Sequence, residues 1–271
     1  MKKISIPRTT IRTKRKAALA SLLAGGLVLF ATSWALALTV PPTMTVTIGG
    51  RTATLLDTRT GPVRTGPEWT YNAVEDRFTL ARPVTASVAN LGSILITEAY
   101  AIPDPVLFFS ASASNQTANP LAYSVAFSTP LAPTLQGLVD SHAELGVTLT
   151  DGTNNGATVQ PTASGGKMLT SFDLYASGTP ISKNVNIGDL FQILVPEPDT
   201  KTTSFSADNS LVCGQACVTM SALLSFTLTG NDSVGFSGKV VQTPVPLPAA
   251  VWLFGSGLAG VVAFARRRMS V

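Results

Sequence analysis

The sequence is short of the residues on which most catalytic and metal sites depend. Among its 271 residues it has one histidine, His142, and two cysteines, Cys213 and Cys217, and only 13% of its residues are charged. One histidine excludes a multi-histidine metal site, and one cysteine pair leaves a cysteine zinc site without its second pair of ligands. The Gly-x-Ser-x-Gly turn that exposes the serine nucleophile of α/β-hydrolases is also missing. No catalytic motif therefore stands out, and no cofactor is expected.

The N-terminal segment has the layout of an export signal. Residues 1–16 hold seven basic residues and no acidic one, residues 17–30 are apolar, and Ala35 and Ala37 place small side chains at positions −3 and −1 of a cleavage site. This layout predicts a secretory signal peptide over residues 1–37, handled by the general secretion translocon and signal peptidase. An uncleaved N-terminal anchor is the alternative.

The positive charge is confined to the two ends of the chain. The formal net charge is +4, but ten of the 19 Lys and Arg residues lie in segments 1–16 and 266–268, whereas all 15 Asp and Glu residues lie between Asp57 and Asp232. Residues 38–248 therefore carry a net charge of −6. Because this body has no basic patch, a nucleic-acid-binding function is not expected.

The body between the two ends is rich in Thr, Ser, Val, Ala, Gly and Pro, a composition that favours strands and turns. Alternation of apolar and polar residues predicts about ten strands separated by turns, and no convincing amphipathic helix. The predicted strands are 44–48, 52–56, 84–89, 93–101, 106–114, 121–128, 143–150, 168–176, 203–207, 218–229 and 233–241. The pattern predicts an antiparallel β-sandwich, with a jelly roll as the leading topology and two small immunoglobulin-like sandwiches as the alternative.

The C-terminal 27 residues have the layout of a targeting signal. They begin with a proline motif, continue through the uncharged run 249–265, and end in an arginine cluster. The motif and cluster are formed by Val245, Pro246, Leu247, Pro248, Ala249, Arg266, Arg267 and Arg268. Seventeen residues make about 25 Å of helix, against roughly 30 Å of bilayer hydrocarbon, so a single transmembrane helix with its arginines in the cytoplasm is predicted. A buried C-terminal helix of a soluble domain is the alternative.

These tail residues resemble the PEP-CTERM sorting tail of Gram-negative bacteria, in its Val-Pro-Leu-Pro-Ala variant. The stretches 104–113 and 121–130 also look like the β-rich bodies common in that family. The resemblance implies that an exosortase, a membrane-embedded cysteine protease or transpeptidase, recognises the tail and processes it near the proline motif. Leu247 stands where the family more usually has glutamate, which leaves the exosortase subtype and the cleaved bond open.

A second proline motif lies in the body. Residues 195–198 read Val-Pro-Glu-Pro, the commoner form of the sorting motif, but polar residues 199–202 follow it instead of an apolar helix. We interpret it as a loop between strands. The predicted organisation is thus a signal peptide (1–37), an extracytoplasmic β-sandwich (38–243) and a sorting tail (244–271).

Few residues of the body are candidates for a site. Outside the cytoplasm, Cys213 and Cys217 are expected to form a local structural disulfide, with a redox site as the weaker alternative. His142 is expected in a loop or at a strand edge, with catalysis as its alternative. Residues 151–156 contain the Asp-Gly and Asn-Gly pairs of tight turns and are interpreted as a turn, with a calcium loop as the alternative.

Aromatic and acidic residues offer further candidates. Trp69 and Tyr71, beside Gly66-Pro67 in a region predicted to be irregular, are the best candidates for exposed ligand-binding residues. In a sandwich, aromatic residues more often belong to the core. The other aromatic candidates are Tyr100, Phe108, Phe109 and Tyr123. A glycosidase needs two facing carboxylates, and spacing selects no pair among Glu68, Glu75, Asp76 and Glu98.

Three functions are consistent with these patterns. The first is an exported, non-enzymatic protein, held transiently in the inner membrane and delivered to the outer surface or the exopolysaccharide matrix. Its sandwich would have a structural, adhesive or glycan-binding role. The second is a secreted carbohydrate-active enzyme on a jelly-roll scaffold, and the third is a calcium-stabilised adhesin. Fold alone does not choose among them.

Overall fold

The computed structural model describes residues 40–57, 65–163, 166–180, 184–195, 199–245 and 257–258. Contacts divide the chain into Met1–Thr39 and Val40–Val271, and every described residue belongs to the second unit. The predicted cleavage-site residues Ala35 and Ala37 lie outside the described residues. So do Pro246, Leu247, Pro248, Ala249, Arg266, Arg267 and Arg268 of the tail. Of the predicted transmembrane helix, only Gly257 and Leu258 are described, and both have helical backbone.

The described part of the chain is all-β and antiparallel, as predicted. It contains no helix long and apolar enough to cross a membrane. Its strands are β1 (Thr43–Ile48), β2 (Arg51–Ala53), β3 (Leu55–Asp57), β4 (Trp69–Asn72), β5 (Arg77–Leu80), β6 (Val84–Val88), β7 (Gly92–Ile102), β8 (Val106–Asn115), β9 (Leu121–Thr150), β10 (Ala157–Pro161), β11 (Leu169–Tyr175), β12 (Asn186–Ile187), β13 (Phe191–Ile193), β14 (Thr200–Leu228) and β15 (Ser233–Pro244).

The first hairpin follows directly from local sequence. β1 and β2 pair with Ile48 opposite Arg51, so that Gly49 and Gly50 form a two-residue turn. Both glycines have positive φ angles, 57° and 76°. A two-residue turn with two positive φ values matches the twist of antiparallel strands, and glycine adopts it without steric cost. The turn therefore joins the strands predicted at 44–48 and 52–56 into a hairpin.

Two long strands, β9 and β14, organise the rest of the fold. They span 30 and 29 residues and pair with each other along most of their length. Over residues 121–130, β9 lies between β1 and the second half of β14, whereas over residues 139–150 it lies between β15 and the first half of β14. The two strands thus leave one layer and enter another at a shared corner, as strands do in sandwiches that switch sheets.

The corner explains the two layers of the sandwich. The first layer contains β1 and β11 on either side of the first half of β9 and the second half of β14. The second layer contains the first half of β14, the second half of β9, then β15, β8 and β7. Shorter strands extend both layers at their edges. The jelly-roll topology stays a prediction.

Aromatic rings join the two layers across a shared core. Phe109 on β8 stacks on Phe127 of the first layer with ring centroids 5.2 Å apart, and Phe236 on β15 lies 4.6 Å from Phe226. All four side chains are at most 3% exposed. They belong to one continuous cluster of buried residues that extends from Met44 to Val240. Alternation along the strand segments that carry these rings produces this arrangement, because successive side chains point to opposite faces.

The predicted disulfide is confirmed and lies at the corner. Cys213 and Cys217 are bonded, and both are buried. Cys213 is opposite Gly137 and Cys217 is opposite Leu135, so residues 214–216 bulge out of β14. The disulfide therefore closes the bulge at which the pairing of β9 and β14 shifts register.

Two pairs of predicted strands are continuous in the structure. The segments predicted at 121–128 and 143–150 both belong to β9, and those predicted at 203–207 and 218–229 both belong to β14. The alternation lapses at the corner, where Ala132-Pro133 has a cis peptide bond and Gly137 a φ of 78°. In the sequence this break in the alternation looks like a turn between two strands. In the structure β9 pairs with β14 both before and after the break.

Candidate functional site

The surface of the second layer that faces away from the core carries the most polar part of the described chain. We call it the outer face. Its strands are the first half of β14, the second half of β9, and β15. The outward positions of β14 are Thr202, Ser204, Ser206, Asp208 and Ser210. Those of β9 are Asp140, His142, Glu144, Gly146 and Thr148. Those of β15 are Gly235, Ser237, Lys239, Val241 and Thr243.

One end of the outer face is a groove of about 800 Å³ centred on His142. The Nδ1 atom of His142 lies 2.7 Å from Oδ1 of Asp208, and its Nε2 atom lies 3.2 Å from Oε1 of Glu144. Beside this trio, Ser210 donates a hydrogen bond of 2.6 Å to Asp140. Two carboxylates, the imidazole and the Ser210 hydroxyl from two neighbouring strands thus line the groove, and Glu144 contacts its imidazole.

The carboxylates favour the protonated form of His142. The hydrogen bond to Asp208 has the largest effect in raising the pKa of His142, the bond to Glu144 adds to it, and partial burial opposes both. The imidazole is 40% exposed and Asp208 is 85% exposed, so water screens the pair. Lys239 on β15 is the register partner of Glu144, so a cation also lies beside that carboxylate.

His142 does not lie in a loop or at a strand edge, as its sequence neighbours suggested. It lies within β9, opposite Asp208 on β14 and Val241 on β15. Asp140, His142 and Glu144 share one face because they are two residues apart on a strand. This period-two spacing is visible in the sequence, but the contribution of Asp208 from a strand 66 residues away is not.

A second groove, of about 520 Å³, continues the outer face along the same strands. Hydroxyl side chains surround it, including Ser110, Ser112, Thr148, Thr202 and Ser237. The bottom of this groove is formed partly by backbone, because Gly146 and Gly235 have no side chain there. A methyl group added at Gly146 or Gly235 would meet no atom closer than 3.7 Å. Thr148 is six residues beyond His142, so the two grooves together extend about 20 Å along the strands.

An aromatic pair flanks the grooves. Tyr100 on β7 and Phe108 on β8 stack with ring centroids 4.9 Å apart, and the guanidinium of Arg77 lies 5.4 Å from the centre of the Tyr100 ring. Phe108 is the register partner of Lys239, which places the pair in the same cross-strand row as Glu144. Both rings are half-buried and lie on the outer face.

The predicted ligand-binding aromatics Trp69 and Tyr71 lie elsewhere. They are on strand β4, not in an irregular region, and their partners are the buried residues Leu80 and Phe78. Trp69 packs against the core, so it is a poor candidate for an exposed platform. Tyr71 is 41% exposed, and its hydroxyl donates a hydrogen bond to Asp76. Phe109 and Tyr123 are core residues, which leaves Tyr100 and Phe108 as the candidate rings that lie beside the grooves.

The acidic residues first considered for catalysis are also outside the grooves. Glu75 pairs with Arg77 at 2.7 Å, and Glu68 lies 3.8 Å from Arg82. Asp76 accepts the Tyr71 hydroxyl. Glu98 lies at the bulge of β7 opposite Ser110. The carboxylates that the fold does bring together, around His142, were not among them.

The oxygen-rich loop after β9 is a turn. Asp151 accepts backbone N–H groups from Thr153 at 3.0 Å and Gly156 at 2.6 Å. Burial acts to raise the pKa of Asp151, but four backbone N–H groups of the loop outweigh it and the pKa is lowered. The carboxylate of Asp151 therefore serves to close its own turn.

Comparison with known proteins gives fold-level likenesses only. No family model matches the sequence, and no curated protein matches it. The xylan-binding CBM22-1 domain of Xyn10C from Paenibacillus barcinonensis has 10% identity and a TM-score of 0.25, over 51% of this chain and 74% of that one.

Two further carbohydrate-binding modules are also similar in part. TmCBM61, solved with β-1,4-galactotriose, has 9% identity and a TM-score of 0.21, over 52% of this chain and 82% of that one. The family 11 module of Lic26A-Cel5E from Clostridium thermocellum has 11% identity and a TM-score of 0.20, over 67% and 97%. At TM-scores this low, the likenesses carry no argument about function.

Proposed function

We propose that this chain is an exported, non-enzymatic protein of the bacterial surface or exopolysaccharide matrix, and that its β-sandwich binds glycan along the outer face. The observation that carries the proposal is the pair of grooves that lie one after the other across β14, β9 and β15. Hydroxyl, carboxylate and imidazole groups line them, together with two bare glycines. A flat polar sheet face with a low floor suits an extended polymer better than a small apolar ligand.

The donors and acceptors of the grooves match those of a sugar. Serine and threonine hydroxyls both donate and accept hydrogen bonds, and each carboxylate of Asp140 or Asp208 can accept two. The paired rings of Tyr100 and Phe108 offer an apolar surface beside them. A glycan chain on the outer face would therefore find polar partners for its hydroxyls and a ring surface for its C–H faces.

A glycosidase is the second candidate function, because the fold brings carboxylates together around His142. Asp140 and Asp208 line the groove, Glu144 contacts the imidazole, and two facing carboxylates are what glycoside hydrolysis needs. Binding is favoured because the side chains of Glu144 and Asp208 are 56% and 85% exposed, whereas an apolar environment keeps the general acid of a glycosidase protonated.

Binding is tested by affinity electrophoresis of the purified protein in gels that contain neutral, acidic or amine-bearing polysaccharides. Retardation by at least one polysaccharide is expected. Asp208→Asn and His142→Ala are each expected to weaken it about 5- to 30-fold, because each removes hydrogen bonds worth about 1–2 kcal/mol. The matched control is Asp189→Asn, an exposed carboxylate paired with Lys167 outside the grooves. Its affinity is expected to be unchanged.

Two outcomes would overturn the binding proposal. One is the absence of retardation by every polysaccharide. The other is equal retardation of the groove variants and the control. Release of new reducing ends from a bound polysaccharide, abolished in Asp208→Asn, would instead establish hydrolysis as the function.

The sorting part of the proposal rests on the tail sequence, in which Val245–Ala249 precede an uncharged run and Arg266–Arg268 follow it. In the structure, β15 ends at Pro244, and the backbone N–H of Val245 donates a hydrogen bond to the carbonyl of Leu138, so the proline motif directly follows the last described strand. A protease acting beyond Val245 would release the sandwich without cutting a described strand.

Sorting is tested by measuring the mass and terminal peptides of the protein in membrane, surface and medium fractions. A form that starts at Leu38, ends near Pro246–Pro248 and is found outside the inner membrane is expected. Replacing Pro246 and Pro248 by alanine should abolish this form, whereas replacing Pro196 and Pro198 of the second proline motif should not. An intact tail retained in the inner membrane would make the tail a plain anchor and refute release.

A further inference from the structure

A cluster of buried polar side chains lies between the layers, apart from the outer face. Its centre is Asp173 on β11, which is fully buried at 0% exposure. Asn184, Gln242 on β15 and Ser141 on β9 are also buried, at 1%, 3% and 2%. The cluster thus draws side chains from both layers into one region of the core.

The carboxylate of Asp173 lacks a cationic partner among the ion pairs of the described residues. Its polar contacts are amides: Gln242 Nε2 donates to both carboxylate oxygens, at 2.9 and 3.1 Å, and the amide of Asn184 lies close enough to act on its pKa. Burial raises the pKa of Asp173, and the two amides oppose that shift. Buried carboxylates are otherwise paired with a cation or bound to a metal ion, because an isolated buried charge is costly.

Three further oxygen atoms of this cluster are buried without a hydrogen-bond partner in the protein. They are Oγ of Ser141, Oδ1 of Asn184 and Oε1 of Gln242, and the Nδ2 atom of Asn184 also has no partner. Ser141 and Gln242 are register partners on the core side of neighbouring strands, so their side chains are adjacent. Since the large majority of buried polar atoms in proteins have a partner, these atoms point to water or an ion bound among them.

The spacing of the cluster suits a cation bound by oxygen. The nitrogen and oxygen of a glutamine side chain exchange places when the amide turns over. Turned over, Gln242 would bring Oε1 to about 3 Å from the Asp173 oxygens. Oxygen ligands that surround Ca²⁺ at 2.3–2.6 Å are separated by about that distance.

We propose that Asp173, Asn184, Gln242 and Ser141 bind a calcium ion between the two layers. Sulfur-preferring metals are disfavoured because the nearby Cys213 and Cys217, within 4.8 Å of the Asp173 carboxylate, are joined in a disulfide and provide no thiolate. Calcium accepts irregular sets of six to eight oxygens, and water or backbone carbonyls would complete this one. With a single carboxylate, the affinity is expected at the weak end, 10⁻⁴–10⁻³ M.

The site has a route to solvent. A groove of about 300 Å³ opens beside Asn184 and is lined also by Asn186, Ala207 and Asn209. The side chain of Asn209 donates to the backbone carbonyl of Asn184, which holds the segment against β14. Calcium could enter beside Asn184 without separating the two layers.

The test is calcium binding by the purified, chelator-treated protein. Equilibrium dialysis measures the number of bound ions, and thermal unfolding measures the stabilisation that they cause. One calcium ion per chain is expected, with the melting temperature raised by about 4–8 °C at 10 mM CaCl₂ and much less by MgCl₂. Asp173→Asn is expected to abolish both effects. The matched control, Asp151→Asn, changes the other oxygen-rich candidate and should bind calcium as before.

Ser141→Ala provides a second variant in case Asp173→Asn does not fold. It removes an unsatisfied hydroxyl, so it should leave the calcium-free protein as stable or more stable. It should also weaken calcium binding about tenfold. The proposal is overturned if the unaltered protein binds no calcium at 10 mM, if Asp173→Asn or Ser141→Ala binds it normally, or if only Asp151→Asn loses it.

Discussion

Gly238 on β15 is a site where one methyl group should destabilise the whole sandwich. Its position faces the core, directly beneath the ring of Phe109. A Cβ atom added there would lie 2.3 Å from Cζ, 2.5 Å from Cε1 and 3.0 Å from Cε2 of that ring. Carbon atoms in contact are ordinarily 3.5–4.0 Å apart, so Gly238→Ala requires the ring to move by about 1 Å or more.

The ring has little freedom to move. Phe109 is 1% exposed and stacks on Phe127, which belongs to the opposite layer. Overpacking a close-packed core costs about 1–3 kcal/mol, and three clashing ring atoms place this substitution at the upper end. Replacing glycine by alanine also lowers the conformational entropy of the unfolded chain, which stabilises the folded state by about 0.4–1 kcal/mol. The expected net loss is about 2 kcal/mol, or a fall of about 4–8 °C in melting temperature.

The assay is urea and thermal unfolding of Gly238→Ala beside a matched variant on the same strand. Gly235→Ala faces solvent, and its added methyl group would meet no atom closer than 3.9 Å. It should unfold as the unaltered protein does, or slightly later. In a Phe109→Leu background, the cost of Gly238→Ala should fall below about 1 kcal/mol, since the shorter side chain leaves room. Equal midpoints for the two glycine variants would refute the packing argument.

Two further predictions concern the corner and the groove. Replacing Cys213 and Cys217 by alanine should cost about 2 kcal/mol in urea unfolding, the loop-closure entropy of a five-residue ring, and unchanged stability would argue against that account. His142, whose pKa the carboxylates raise, should contribute stability below about pH 6.5 that is lost as pH rises through its folded pKa. The effect should stay under about 1 kcal/mol because the pair is exposed, and His142→Gln should remove it from the pH profile.

Most of the sandwich could be predicted from alternation, because burial on one face dictates period two. β7, β8 and β15 lie close to their predicted segments, and a hairpin turn at Gly49-Gly50 joins the strands predicted on either side of it. The continuity of β9 and β14 could not be predicted in the same way. Pro133 and Gly137 interrupt the alternation as a turn would, and only the neighbouring strands show that the chain continues into the other layer.

The candidate site was less accessible to sequence analysis. The two-residue spacing of Asp140, His142 and Glu144 predicts that these side chains share one face of a strand. Asp208 reaches His142 only through the pairing of β9 with β14, which the spacing does not predict. Trp69 and Tyr71 follow a glycine and a proline, a local pattern that predicts irregular structure. In the structure they lie on β4 and face buried partners of β5. Side chains that converge from distant strands depend on register, which local patterns do not contain.

The corner of β14 ties the outer face to the buried cluster. Asp208 and Ser210, which line the groove, precede Cys213 by only a few residues on β14, and the disulfide lies against Asp173 at the centre of the cluster. A shift of one residue in β14 would turn Asp208 away from His142, because neighbouring side chains on a strand point to opposite faces. The disulfide closes the bulge at which such a shift would begin, and calcium at Asp173 would hold the same corner from the core side. Loss of either should therefore weaken glycan binding by displacing the groove, even though neither group contacts the outer face.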